Sequence, residues 1–232
     1  MYLFGTHGLG LDGSSAVVDA VSSDRIRVRS GVDACRILDV ILALGGLLFL
    51  APTLVLISIA IKIQDGGPIL FGHSRIGRHG RVFRCWKFRS MVVEAEQRLA
   101  DLLARDPQAR AEWEADQKLR KDPRVTPLGL FLRKSSIDEL PQLLNVLVGE
   151  MSLVGPRPIV ADEVRRYGRW FRHYCAVRPG ITGLWQVSGR NDVDYRQRVA
   201  MDVLYARSRS FSRYLMILAA TVPAVARRSG SY

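Results

Sequence analysis

Between Val40 and Ile61 the chain runs VILALGGLLFLAPTLVLISIAI, 22 residues without a charge. As an α-helix this run is roughly 33 Å long, about one hydrocarbon thickness. It starts too late and runs too long for a signal-peptide core, and it has no small-residue cleavage site. A buried helix of a soluble protein does not need such a length. Two features complicate a simple span. Gly45-Gly46 and Pro52 interrupt the middle, and Pro52 removes a backbone donor where lipid offers no replacement. Basic residues also lie on both flanks: Arg25, Arg27, Arg29 and Arg36 before, Lys62, Arg75, Arg78, Arg81 and Arg84 after. The positive-inside rule then favours both ends in the cytoplasm. A helix that enters, kinks near Pro52 and returns to the same face satisfies both features. The alternative is a straight span that tolerates its proline.

The remaining chain is long enough for one domain with its own core. Thirty-four Lys and Arg against 22 Asp and Glu give a net charge of +12. That balance predicts anionic partners: nucleic acid, lipid headgroups or phosphorylated substrates. Cys35, Cys85 and Cys175 are odd in number and widely spaced. They read as thiols in apolar surroundings in a reducing compartment, not as a metal site.

Residues 1–33 read as a weakly ordered tail, 34–64 as the re-entrant membrane helix and 65–232 as the remaining domain. GGPILFGHSRIGRHGRVFRCWKF predicts an arginine-rich β-hairpin turning at Gly77 and Gly80. Residues 92–120 have helix-forming composition interrupted at Pro107. They suit an amphipathic surface pair, with a membrane or a partner as the other reading. DPRVTPLGLFLRKSS reads as turn, short helix, turn. Residues 137–148 predict one strongly apolar helix, GPRP at 155–158 a turn, and 178–195 a loop with a short strand. Residues 196–228 are largely helical. Tyr214 to Ala226 is too short to span and suits either the membrane interface or the core.

The chemistry concentrates in LRKSSIDELPQLLN, residues 132–145. Ser136-Ile137-Asp138-Glu139 fits a capping box, in which Ser136 and Glu139 satisfy each other's backbone at a helix start. Pro141 is tolerated there because early N–H groups lack intrahelical partners. The neighbours suggest more. A carboxylate beside Arg133 and Lys134 stays ionised, and an ionised Asp can attack phosphorus if something offsets the charge repulsion. Arginine clamps and Mg²⁺ do this in phosphoryl transfer. Arg75, Lys87, Arg89, Arg157, Arg178 and Arg190 are candidates for a doubly phosphorylated substrate.

KFRSM at 87–91, DPRVTPLG at 122–129, LRKSSIDELPQLLNVL at 132–147, GEMSLVGPRP at 149–158 and RPGITGLWQVSGR at 178–190 together resemble the bacterial sugar transferases. These are the monotopic polyprenyl-phosphate phosphoglycosyltransferases. The resemblance runs from about Arg36 to the C-terminus, with the motifs in the family's order. RNDVDY and the closing SGSY resemble the members that prime exopolysaccharide with galactose phosphate.

The resemblance implies an α+β fold, mostly helical. It implies a re-entrant N-terminal helix, interfacial amphipathic helices and a small β-hairpin. It implies transfer of a sugar 1-phosphate from a UDP-sugar to undecaprenyl phosphate, with release of UMP and use of Mg²⁺. Asp138 falls on the nucleophile and Glu139 on its assistant, as metal ligand or proton handler. Arg133, Lys87, Arg89, Arg75, Arg190 and the Pro156-Arg157-Pro158 element fall on substrate binding. Asp138, Glu139 and Asp202 fall on the acidic positions that would serve a metal. The partners implied are the UDP-sugar, undecaprenyl phosphate and membrane lipids but no nucleic acid, with a homodimer left open. The location implied is the inner membrane, with 65–232 as the catalytic domain on the cytoplasmic face. Ala51-Pro52 stands where the family carries Ser-Pro, so no Ser hydroxyl can satisfy the carbonyl that Pro52 frees. No run of N-terminal spans precedes the match, which would make this a minimal member.

Two other readings are weaker. Asp192-Val193-Asp194 is a D-x-D that could hold a metal and a nucleotide diphosphate, and it predicts UDP release. No alternation of strands and helices precedes it. A membrane-tethered nucleic-acid binder would use the positive charge, but no helix-turn-helix or aromatic stacking platform is present.

Overall fold

The computed structural model describes residues 32–116, 119, 121–188 and 193–226. The expected tail up to residue 31 therefore lies outside the described residues.

Helix α1 spans Val32–Asp65, with Pro52 inside it and helical structure on both sides. It is long and apolar enough to cross a membrane, and only 6% of its most apolar stretch is buried. Its outward face carries Ile41, Leu48, Phe49 and Leu56, with Phe49 83% exposed. The inward face repeats every fourth residue: Cys35, Asp39 and Ala43 near one end, Ile57 and Ile61 near the other. That spacing brings one stripe of a helix against a neighbour.

Both ends of α1 are tied to the same body. Near the start, Arg36 donates to the carbonyls of Val146 (2.6 Å) and Leu147 (3.0 Å). Asp39 Oδ1 accepts from Ser152 Oγ (3.1 Å), Leu153 N (2.8 Å) and Tyr214 Oη (2.7 Å). Three donors compensate a carboxylate that is 1% exposed, and each would cost about 1–3 kcal/mol if left unpaired. Near the other end, Asp65 pairs with Arg89. Ile57 and Ile61 pack there with Phe88 and Leu132.

The expected hairpin forms. Strand β1 (Leu70–Ile76) pairs antiparallel with β2 (Val82–Phe88), from Leu70 opposite Phe88 to Ile76 opposite Val82. Phe83 and Cys85 turn one side of β2 to a first core shared with Val146 and Met151, and Phe88, on the opposite side, packs with Ile57, Ile61 and Leu132. His79 (φ 60°) and Gly80 (φ 72°) make the turn with two left-handed residues in succession. Glycine adopts that conformation without steric cost.

Pro107 divides the next segment as expected, into α2 (Ala95–Arg105) and α3 (Pro107–Asp116). Asp106 Oδ1 accepts from the N–H groups of Gln108 (2.9 Å) and Ala109 (3.1 Å), so α3 starts on an aspartate cap with proline first in the helix. Helix α4 (Pro127–Lys134) repeats the device: Thr126 accepts from Gly129 N at 2.9 Å and Pro127 follows it.

The single helix expected over 137–148 is divided. Ile137–Glu139 form a 3₁₀ turn, and α5 runs from Gln142 to Val148. Pro141 has no N–H to pass a helix on from Ile137, so the ladder ends and restarts. Strand β3 (Ser152–Val154) then pairs in parallel with β4 (Gly180–Thr182). The backbones touch here: a β-carbon on Gly180 would lie 2.0 Å from Gly155 N. Only glycine permits that approach, which fixes the base of the Pro156-Arg157-Pro158 turn.

Between these strands, α6 (Val164–Tyr167) and α7 (Phe171–Cys175) carry a second core around Tyr167, Tyr174 and Ile76. LWQVS, expected as loop and strand, is helix α8 (Leu184–Ser188), which follows β4 directly. Helices α9 (Tyr195–Arg207) and α10 (Phe211–Ala226) complete the body. Helix α10 has a buried and an exposed side. Tyr214 and Ile217 are fully buried in the first core with Phe83 and Val146, while Leu215, Met216 and Val222 are exposed. Among the described residues the architecture is mostly helical, with two small two-stranded sheets and one long apolar helix.

Candidate active site

Asp138 and Glu139 sit on the 3₁₀ turn between α4 and α5. Ser136 enters it at φ 58° and makes no side-chain cap. The capping box expected there does not form, because Glu139 has a stronger partner. Its Oε1 lies 2.7 Å from Lys87 Nζ, near the end of β2. Asp138 Oδ2 is 3.7 Å from the same ammonium. One lysine thus bridges both carboxylates, and a charged bond outweighs a neutral cap.

Asn145 and Gln142 are both buried next to this arrangement, and Asn145 holds it. Asn145 accepts from Trp86 N (3.0 Å) and donates to the Arg84 carbonyl (2.7 Å) and to Glu150 Oε2 (2.6 Å). It pins β2 to α5 and so sets Lys87 against the dyad. Gln142 lines the same cleft as Glu139. Sequence reasoning missed both. The available signal was a pair of amides inside an otherwise apolar helix, QLLNVLV.

Arg75, Lys87, Glu139, Arg157 and Pro158 line one small cleft, with Cys85 and Gly180 behind them. Arg75 donates to the Pro158 carbonyl at 3.2 Å and lies 3.9 Å from Glu163. The Pro156 carbonyl accepts from Gly180 N at 2.8 Å. Arg133 donates from Nε to Ser90 Oγ (2.8 Å) and acts electrostatically on Asp138. Five sequence-selected residues therefore converge, with Arg133 beside Asp138. Arg89 does not converge with them. It is 8% exposed, paired with Asp65, and ties the hairpin to the end of α1. Arg190 lies outside the described residues.

Burial pushes the Asp138 carboxyl above the ordinary carboxylate range, with the charge of Glu139 adding to it, while Lys87 and Arg133 pull it back in part. Burial also acts on Glu139, but Lys87, Arg157 and Arg75 outweigh it and hold Glu139 below its ordinary value. Two adjacent carboxyls with opposite shifts are suited to different tasks.

Asp202 sits elsewhere, in the second core. It is 2% exposed and accepts from Tyr167 Oη at 2.6 Å. Burial raises it to about 7, against the Tyr167 bond and Arg198. A raised folded value means the native state keeps a proton that the unfolded chain releases. Stability from this group is therefore full at low pH and lost as pH rises toward 7. The Asp202→Asn protein should lose that slope and melt nearer to, or above, wild type at pH 8 than at pH 5. A parallel pH dependence in the two proteins would refute the assignment. In the D-x-D, Asp194 caps α9 by accepting from Gln197 N at 2.7 Å, and Asp192 lies outside the described residues.

An exposed apolar helix on the same body as a cation-bridged carboxylate pair, with arginines converging on one cleft, suits a membrane-associated protein with a strongly charged site. The particular kind follows from comparison. Residues 32–228 match the family described as Bacterial sugar transferase, and the chain belongs to that family. It is 51% identical over 197 residues to the undecaprenyl-phosphate galactose phosphotransferase of Salmonella typhimurium, covering 85% of this chain and 41% of that protein. It is 48% identical to the exopolysaccharide production protein ExoY of Rhizobium meliloti, covering 86% and 88%. It is 38% identical to the UDP-glucose:undecaprenyl-phosphate glucose-1-phosphate transferase of Escherichia coli, covering 73% and 35%. The chain thus spans about two fifths of the Salmonella relative and most of the Rhizobium one.

Proposed function

We propose that this protein transfers a sugar 1-phosphate, galactose 1-phosphate in the first instance, from a UDP-sugar to undecaprenyl phosphate. UMP is released, and the product begins an exopolysaccharide. The observation that carries the reading is Lys87 bridging Asp138 and Glu139, with Lys87 and Glu139 lining a cleft shared with Arg75 and Arg157. The names of the Salmonella and Rhizobium relatives support the substrate class.

In this reading Arg75 and Arg157 receive the diphosphate and offset its charge. The Asp138 carboxylate attacks the phosphorus that bears the sugar. The bond from that phosphorus to the UMP oxygen breaks, and UMP leaves with its electron pair. The aspartyl phosphosugar is then attacked by a phosphate oxygen of the lipid acceptor, which frees Asp138. Lys87 holds the dyad's charge, and Glu139 stays ionised to receive a cation or a proton.

The donor chemistry suits Mg²⁺. Among the described residues no group of three or more His, Cys, Asp and Glu could hold a metal. Mg²⁺ commonly takes one or two carboxylates and completes its shell with substrate phosphates and water. Asp138 and Glu139 would hold it, and it would neutralise charge on the diphosphate.

An apolar groove beside the dyad suits the lipid acceptor. Leu47, Leu54 and Ser58 of α1 face Phe88, Pro141 and Leu144 across it. We also infer that α1 enters the membrane and returns to the cytoplasmic side of the inner membrane. Its two ends being tied to one body supports this, as do its two basic flanks.

The test is nucleotide identity. Detergent-solubilised protein with UDP-galactose, Mg²⁺ and undecaprenyl phosphate should yield UMP. UDP would mean glycosyl transfer instead. No product from any member of a UDP-sugar panel would end the enzymatic reading. For topology, a reporter fused to the N-terminus should report cytoplasm, and a periplasmic signal would exclude the re-entrant path.

A further inference from the structure

Four guanidinium groups gather where α1 begins. Two of them have a local use. Arg36 caps the Val146 and Leu147 carbonyls, and Arg178 Nε donates to the Gly149 carbonyl at 2.8 Å. Cations are favoured at a helix C-terminus, here that of α5. Arg78 lies on the hairpin turn and Arg209 between α9 and α10. Each buries an Nε that has no hydrogen-bond partner. Arg209 otherwise reaches Tyr205 and Cys35.

The four belong to one cluster. Arg178 lies within electrostatic range of Arg78, Arg36 and Arg209, and Arg78 of Arg209, each disfavouring its neighbour's charge. Among the described side chains, Asp39 is the acid in range of Arg178, and its Oδ1 already serves Ser152, Leu153 and Tyr214. Guanidinium groups do not shed their protons. Half-buried like charges with unused donors form an arrangement that an anion completes.

Its place in the fold says which anion. The exposed apolar face of α1 starts at Ile37 and Ile41, immediately after Arg36. That of α10 starts at Phe211 and Leu215, two residues after Arg209. The cluster therefore lies at the rim of the apolar surface, the level at which lipid phosphates sit. The carboxylate cleft is elsewhere: Lys87 is five residues along β2 from the turn end, roughly 17 Å.

We propose that Arg36, Arg78, Arg178 and Arg209 form a binding site for the phosphate of an anionic phospholipid headgroup, separate from the carboxylate cleft. The site holds the start of α1 at the headgroup level. It rests on membrane association and not on the sugar-phosphate reading, so either can fail alone.

The test uses the full chain in detergent, titrated with short-chain phosphatidylglycerol, short-chain phosphatidylcholine or inorganic phosphate, with melting followed by tryptophan fluorescence. Phosphatidylglycerol should raise the melting temperature saturably. Phosphatidylcholine, whose phosphate is neutralised by its own choline, should not. The Arg78→Gln/Arg209→Gln protein should need roughly tenfold more phosphatidylglycerol for the same shift and keep wild-type nucleotide release. If that protein does not fold, Arg78→Gln alone, on the hairpin turn, carries the same measurement. Equal shifts with both lipids, or an undiminished response in the variant, would overturn the site. A full shift with inorganic phosphate alone would overturn the lipid as its source.

Discussion

The Asp138→Asn protein is expected to fold and bind membranes yet release UMP about a thousandfold more slowly than wild type, or not at all. Asn keeps the volume of Asp and can still face Lys87, so the turn should survive. It cannot form the acyl phosphate. Asp138→Ala should behave alike, with some further loss of stability, because it leaves a void at a buried position that Asn would fill. A second readout separates the covalent step from binding. Wild-type protein given UDP-galactose without acceptor should gain the mass of one phosphosugar, and the Asn variant should gain none. Wild-type turnover by Asp138→Asn would sink the covalent mechanism.

Lys87→Gln is expected to cost about a hundredfold in turnover and to move the acid limb of the pH profile upward. The sign follows from the dyad. Burial raises Asp138, and the Lys87 charge opposes it. Lys87 likewise keeps Glu139 low. Without the ammonium both carboxyls hold their protons to higher pH, so less of the nucleophile is ionised at any given pH. Lys87→Arg restores a cation and should bring the limb back toward wild type. Turnover measured between about pH 5 and 9 decides this. An unmoved acid limb in Lys87→Gln would mean that Lys87 acts only on substrate phosphates.

Much of the site was legible because its chemistry is written in residue type. Arg75, Lys87, Glu139, Arg157 and Pro158 were chosen from scattered motifs, and they line one cleft. The hairpin was legible from alternation around glycine, and the break at Pro107 from a missing donor. Arg89 looks equivalent to Lys87 in the sequence, two residues away. It lies one residue beyond β2 and pairs with Asp65 at the end of α1 instead of lining the cleft. The β3–β4 pair was largely hidden, since three-residue strands carry no period to read.

What the sequence determined by itself is local. An uncharged run of one membrane thickness must find lipid or a core, each proline removes one donor from its hydrogen-bond ladder, and adjacent carboxylates call for cations nearby. The choice among equivalent partners belongs to the tertiary structure. Glu139 could have capped Ser136 three residues away, and it bonds Lys87 instead, 52 residues away. Asp39 could have faced water, and it bonds Tyr214, 175 residues away. A local cap is worth about 1 kcal/mol. Packing that removes a carboxylate from water imposes a larger demand for partners, and whichever donors the fold delivers there decide the matter.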